Sequence, residues 1–398
     1  MAPVKRYSVK QKIEDIATCL ALDENQIKGF GYGNGRLGIA IFYLYYGHLT
    51  ADNAYAEKAE LLFSQAFDEL RNEKFEGHFF EKDLAEFGMF IEFTQTANWF
   101  DFEAAEILES IDEVLLNHLE HAIEREDFDP FSGALVAGNY YSFRLKNTDK
   151  VVPYLEKLVH GLYQKKNIDS DGNWFWKSKL TDPNGVVYTG ISHGMGAILA
   201  LLANSYEHNI LPALCAEMML KGSHFLLAQA KDFEKQGYYF DDIVGQANGI
   251  SRLSLCYGDL GVCYGLLRVG QILSNDVIYT KAMSILRNSI LRSSLEQTGV
   301  RDAGLLYGAS GNAMIYNKIF RLTGDNVFLA TAHYWQQRAI EYGQDTAADS
   351  TAGFLPHLNR MYLATNVGFL QGIAGIGCAF IQTVCDDAPK MDKLIWLL

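Results

Sequence analysis

The feature that most constrains the fold is a close pair of small residues, glycine in most copies, that returns seven times at the head of an apolar stretch. The copies are Gly35-Arg-Leu-Gly38, Ala85-Glu-Phe-Gly88, Gly133-Ala-Leu-Val-Ala-Gly138, His193-Gly194-Met-Gly196-Ala197, Gly258-Asp-Leu-Gly261, Gly308-Ala-Ser-Gly311 and Gly372-Ile-Ala-Gly375. Taking the last small residue of each (38, 88, 138, 197, 261, 311, 375), the steps are 50, 50, 59, 64, 50 and 64 residues. Steps of that size hold two helices and their loops, and a fixed recurrence of this kind is the mark of a repeat architecture. Between the motifs lie amphipathic stretches at helical spacing: Asn53 to Arg71, Phe102 to Glu124, Thr148 to Tyr163, Leu211 to Lys231, Val277 to Ser293 and Asn326 to Tyr342.

The glycine-headed stretches are apolar nearly all round and therefore have to be buried. Seven buried helices paired with amphipathic ones, neither able to hide its apolar face alone, predict an all-α fold. Its expected architecture is a seven-repeat α/α toroid, an inner ring of helices inside an outer ring, forming one domain over residues 1–398 with the glycine motifs around a cavity. One stretch breaks the pattern. Asp169 to Gly190 carries Asp-Gly, Trp174-Phe-Trp176 and Pro183-Asn-Gly185, which predicts a short β-hairpin or ordered loop leading to His193, its aromatic cluster packed over one mouth of the ring.

Composition narrows the function. With 49% hydrophobic and 21% charged residues the chain has ample core and no disorder signature. Its 34 basic against 48 acidic residues give −14, the wrong sign for gripping nucleic acid or anionic lipid. No stretch reads as a signal peptide or a membrane span. Six cysteines without a CxxC pair fit a reducing cytoplasm.

Chemistry gathers in Ser251-Arg252-Leu-Ser-Leu-Cys256-Tyr257-Gly258. If this segment winds, Arg252 lies one helical turn ahead of Cys256, and Cys263 lies on the same side two turns beyond. With these residues in view, the sequence resembles the lanthionine synthetase C-like family, the cyclases that close thioether rings in lanthipeptides. The resemblance runs from Gly31 to Ile381. Its specific part is Arg252-x-x-x-Cys256-Tyr257-Gly258 with His193-Gly194 upstream.

What the resemblance implies is a dehydrated precursor peptide as substrate and a lanthipeptide dehydratase as partner. It also implies a zinc ion that turns a substrate Cys into a thiolate, which adds to dehydroalanine or dehydrobutyrine. The family takes one zinc ligand from the Cys of the CYG motif, here Cys256, and two from a Cys-His-Gly motif in the next repeat. That motif reads Leu306-Tyr307-Gly308 in this chain. The expectation is therefore a protein without family-type zinc, with Cys256 as the retained ligand position.

The other site residues carried by the resemblance are His193 as the proton-handling group, Asp129 in Asp-Pro-Phe-Ser-Gly133, Arg252 and Tyr257. Each has a plainer reading. His193 is then a core histidine, Asp129 an N-cap for the next helix, Arg252 a structural tie to Asp129, and Tyr257 a space-filling ring. A different class of function, a degenerate binding protein in a biosynthetic complex, is favoured by Leu306 and Tyr307. A glycosidase would need facing carboxylates from Asp241, Asp242, Asp302 and Glu86. Ser310 in Gly308-Ala-Ser-Gly311 lacks the strand of a nucleophile elbow.

Overall fold

The computed structural model describes residues 8–23, 27–71, 79–246, 251–345, 347, 350–357 and 366–398. In chain order the helices are α1 (Val9–Asp23), α2 (Arg36–Thr50), α3 (Ala54–Arg71), α4 (Phe80–Thr96), α5 (Ala105–Glu124), α6 (Ala134–Arg144) and α7 (Val152–Gln164). A two-stranded antiparallel sheet, β1 (Asn167–Ile168) and β2 (Trp174–Phe175), comes next. The chain continues through α8 (Met195–Glu207), α9 (Pro212–Ala228), α10 (Phe233–Gln236), α11 (Asp259–Ile272), α12 (Asp276–Ser289), α13 (Leu295–Thr298), α14 (Ala309–Thr323), α15 (Asn326–Tyr342) and α16 (Ile373–Val384). A 3₁₀ turn at Asp392–Ile395 follows.

The glycine motifs do what their position implies. Gly35, Gly133, Gly194, Gly258, Gly308 and Gly372 are the N-caps of α2, α6, α8, α11, α14 and α16, each without a side-chain cap bond. The helices they open are buried along most of their length, whereas α3, α5 and α12 bury only one stripe. The second motif differs. Ala85 to Gly88 lies in the middle of α4, which starts at Phe80, because no glycine stands ahead of it to break the helix.

The residues cluster into two compact units, one of 1–101 with 301–391 and one of 102–300 with 392–398. In the first, α2 packs against α3 and α16, α14 against α15, and α1 against α16. Its interior is aromatic: Phe63 stacks on Phe87 and Phe90, and Tyr45 meets Trp99 edge-on at 5.0 Å. In the second, α8 and α11 form the buried centre, flanked by α9, α12 and α6. The stretch expected as a hairpin begins two residues early, at Asn167, and ends in single bridges, Ser178 with Val186 and Tyr188 with Ile243. Its aromatic cluster is anchored on α7 and α9. Trp176 is fully buried and donates from Nε1 to the Leu162 carbonyl at 2.8 Å, Trp174 meets Tyr163 edge-on, and Phe175 stacks on Phe225 at 4.7 Å. That anchoring fixes where the following residues go.

Candidate functional site

The second unit holds the candidate site, and it is assembled from three loops. Between α5 and α6 the chain turns through Asp127 to Gly133. Asp129 is fully buried there, and its Oδ1 accepts the backbone N–H groups of Phe131 (2.7 Å) and Ser132 (3.3 Å). This is a local side-chain-to-backbone turn, so Asp129 shapes the loop and does not cap α6, whose N-cap is Gly133. The other oxygen, Oδ2, accepts the Ser178 hydroxyl at 2.6 Å and faces His193 Nδ1 at 3.0 Å. The strand after Trp176 is stitched to the same turn: Phe128 N–H donates to the Lys177 carbonyl and Lys179 N–H to Asp127 Oδ1.

His193 sits just ahead of α8 and is 7% exposed. Three rings surround it, Tyr188 at 5.1 Å, Phe131 at 5.2 Å and Tyr257 at 5.9 Å between centroids. A carboxylate only accepts, so Nδ1 is the donor in the Asp129 pair and Nε2 is the nitrogen left to exchange a proton.

The third loop is Ser251 to Gly258, and it is not helical. Ser254 Oγ accepts the Tyr257 N–H at 3.1 Å, and Gly258 turns the chain with φ of 71°. The expected one-turn spacing of Arg252 and Cys256 is thus replaced by a tight bend, and α11 begins only after Cys256, so helical spacing does not relate Cys256 to Cys263 either. The bend lays the Arg252 guanidinium over the Tyr257 ring, 5.4 Å from its centroid, in cation–π range. Close backbone approach joins this loop to the one carrying His193. A Cβ at Gly190 would lie 2.1 Å from the Cys256 carbonyl oxygen, so only glycine permits the contact.

One further expected relationship is corrected. Arg252 does not pair with Asp129, whose acceptor positions are taken by His193, Ser178 and backbone N–H groups. Its charge acts on Asp242 and Cys256 instead. Cys256 itself is fully buried, and burial pushes its thiol up to about 12 against the opposing pull of the Ser192 hydroxyl and the Arg252 charge. At neutral pH it is a protonated thiol. Among the described residues Cys256 belongs to no group of three His, Cys, Asp or Glu donors at metal-ligand distance. In the other unit, Leu306 is buried and offers no donor side chain, and Tyr307 is half-buried.

Two residues at the site were not expected. Ser178 was missed, although it stands two positions after the buried Trp176, and residues two apart in extended chain share a face. In sequence Asp242 reads only as a glycosidase acid. Burial pushes its carboxyl up to about 6, although the charge and a backbone N–H of Arg252 pull the other way, and its Oδ1 has no hydrogen-bond partner. The glycosidase set is otherwise committed locally. Asp241 pairs with Lys231 at 2.6 Å, Glu86 with Lys82 and the Gly33 N–H, and Asp302 accepts from the Gly304 and His357 N–H groups.

The lanthionine synthetase C-like protein family matches residues 26–395, nearly the whole chain. The chain belongs to that family. Among solved structures, one titled "Nisin cyclase" superposes with a TM-score of 0.75 at 17% identity, covering 98% of this chain and 97% of that one. That likeness shows the fold, the all-α toroid of paired helices that the glycine repeats predicted. No curated protein sequence matches the chain. No helix among the described residues is long and apolar enough to cross a membrane.

Proposed function

We propose that this family member promotes the addition of a Cys thiol of a dehydrated precursor peptide to dehydroalanine or dehydrobutyrine, closing lanthionine-type thioether rings without family-type zinc. The observation that carries the reading is the Asp129–His193 pair, held by Ser178 and walled by three aromatic rings. His193 takes the thiol proton at Nε2. The sulfur then bonds to the β-carbon, the C=C electrons move toward the carbonyl as an enolate, and the same proton returns to the α-carbon, so the step balances with no further reagent. The Arg252 guanidinium provides positive charge for the enolate oxygen, and the Tyr257 hydroxyl a hydrogen bond.

Support for a zinc-free reading comes from the donor set. Leu306 and Tyr307, which offer neither thiolate nor imidazole, stand at two ligand positions and leave Cys256 as the retained one. A lone site of that kind does not make a three-ligand catalytic zinc centre. A lanthipeptide dehydratase is the proposed partner. The proposed setting is the reducing cytoplasm, in keeping with six cysteines that form no disulfide.

The same donor set favours a second reading, a non-catalytic protein that binds a precursor peptide or a biosynthetic enzyme. Purified protein is incubated with dehydrated peptide and free thiol is followed by alkylation, beside a pull-down with dehydratase and peptide. Thiol loss faster than the uncatalysed rate supports the cyclase; capture without thiol loss supports the binding protein and sinks the cyclase.

A further inference from the structure

In the first unit, His48, Cys385 and Asp387 bring an imidazole, a thiol and a carboxylate together, with one ligand atom from each lying within 4.8 Å of the others. Sequence spacing hides this cluster, because His48 and Cys385 are 337 residues apart. Its construction is local. His48 lies in the last turn of α2 and Cys385 directly follows α16, and these two helices pack against one another. Cys385 leaves the helix in extended conformation, and the Ala388 N–H closes a turn back to its carbonyl. That turn swings Asp387 round so that Cys385 Sγ lies 3.1 Å from Oδ1 and His48 Nε2 lies 3.4 Å from Oδ2.

The turn is also clamped. Tyr45, three residues before His48, donates its hydroxyl to the Pro389 carbonyl at 2.5 Å, and Gln382, three residues before Cys385, donates to the same carbonyl at 2.6 Å and to the Tyr45 hydroxyl at 3.1 Å. The His48 ring leans on Trp99, with centroids 6.4 Å apart. The backbone turn that carries Cys385 and Asp387 is thus fixed through Pro389 by two side chains that do not themselves ligate, and the His48 ring is fixed against Trp99.

We propose that His48 Nε2, Cys385 Sγ and an Asp387 oxygen form a binding site for zinc or a similar borderline-soft divalent cation, with solvent in the fourth position. Zinc bonds of about 2.0–2.1 Å to nitrogen or oxygen and about 2.3 Å to sulfur place tetrahedral ligands roughly 3.3–3.6 Å apart; the 3.1 and 3.4 Å separations here run to different Asp387 oxygens, and a small turn of that exposed carboxylate would bring one oxygen to both partners. An N, S, O set with two of the three side chains well exposed suits zinc or cobalt and not the all-oxygen cages of calcium or magnesium. Bound metal would staple the end of α2 to the end of α16. It also follows that zinc carried by this protein sits here and not at Cys256, independently of whether the chain is a cyclase.

Cobalt(II) titrated into metal-free full-length protein is the test. The expected result is one equivalent bound with a thiolate-to-cobalt charge-transfer band, lost in Cys385→Ser, kept in Cys256→Ser, and an affinity weakened at least about tenfold in His48→Ala. Both surface variants are checked for folding by circular dichroism and keep the wild-type rate of any thiol addition. Absence of the band in the wild type, its persistence in Cys385→Ser, or unchanged affinity in His48→Ala overturns the site.

Discussion

Asp129 Oδ2 lies 3.0 Å from His193 Nδ1, and the same oxygen accepts the Ser178 hydroxyl at 2.6 Å. The carboxylate is fully buried with its other oxygen bound to two backbone N–H groups, so it has no freedom to turn away from the imidazole. Substituting Asp129→Asn keeps the shape and removes the negative acceptor. Thiol-addition rates are expected to fall about 10²-fold or more, within the range general acid–base groups contribute, with the thermal unfolding midpoint little changed.

Ser178 is a positioning residue in this account. Ser178→Ala leaves Asp129 Oδ2 with His193 alone and is expected to lower kcat while leaving KM for the peptide near its wild-type value. Ser178→Thr, which restores the hydroxyl, recovers most of the rate. Equal loss in both variants would indicate that Ser178 only fills space.

Asp242 makes stability depend on pH with a definite sign. Its folded carboxyl titrates near 6 against an ordinary value of 3.8, so the folded state binds the proton more tightly than the unfolded state. Stability from this group is present below about pH 4 and is lost as pH rises toward 6, by about 2 kcal/mol at most once its partial exposure is allowed for. Urea unfolding of wild type and Asp242→Asn across pH 4 to 8 checks this: the difference between them grows in favour of the variant through that window. A flat difference contradicts the assignment.

Close backbone contact between the loops carrying His193 and Cys256 predicts that Gly190→Ala is severe. The new methyl would meet the Cys256 carbonyl oxygen, which is backbone and cannot swing aside. A loss of more than about 2 kcal/mol is expected by urea midpoint, as for other changes that overpack a buried backbone crossing.

Thiol reactivity separates the cysteines. Cys256 is buried and pushed up to about 12, Cys215 likewise to about 12, and burial raises Cys263 and Cys378 well above the ordinary range. Cys19 and Cys385 are the two cysteines that solvent reaches and are therefore the expected sites of iodoacetamide labelling in metal-free native protein, Cys385 slowed because partial burial and the Asp387 carboxylate raise its thiol, with Cys256 labelled only after unfolding.

What could be read from the sequence follows from the range of the interactions involved. Glycine caps and apolar periodicity are local, and six of the seven motifs open helices where the pattern placed them. The remaining one, the second motif at Ala85 to Gly88, sits inside α4 because no glycine stands ahead of it to break the helix. Arg252 was placed one helical turn from Cys256 because spacing carries no record of the Ser254–Tyr257 turn or of the positive φ at Gly258. His193 and Asp129 were legible as family positions, but their pairing is a contact over 64 residues of sequence, and Ser178 joins them only because Trp176 is pinned to Leu162. Asp242 owes its raised carboxyl to burial, which no local pattern records.

The most direct test of the zinc-free, histidine-driven account is the rate of free-thiol loss from a dehydrated precursor peptide, with metal-free protein in excess chelator, for wild type and His193→Ala. The account predicts acceleration by the wild type that chelator does not reduce and that His193→Ala lowers about 10²-fold or more. No acceleration by the wild type, or acceleration that appears only when zinc is added back, would contradict it.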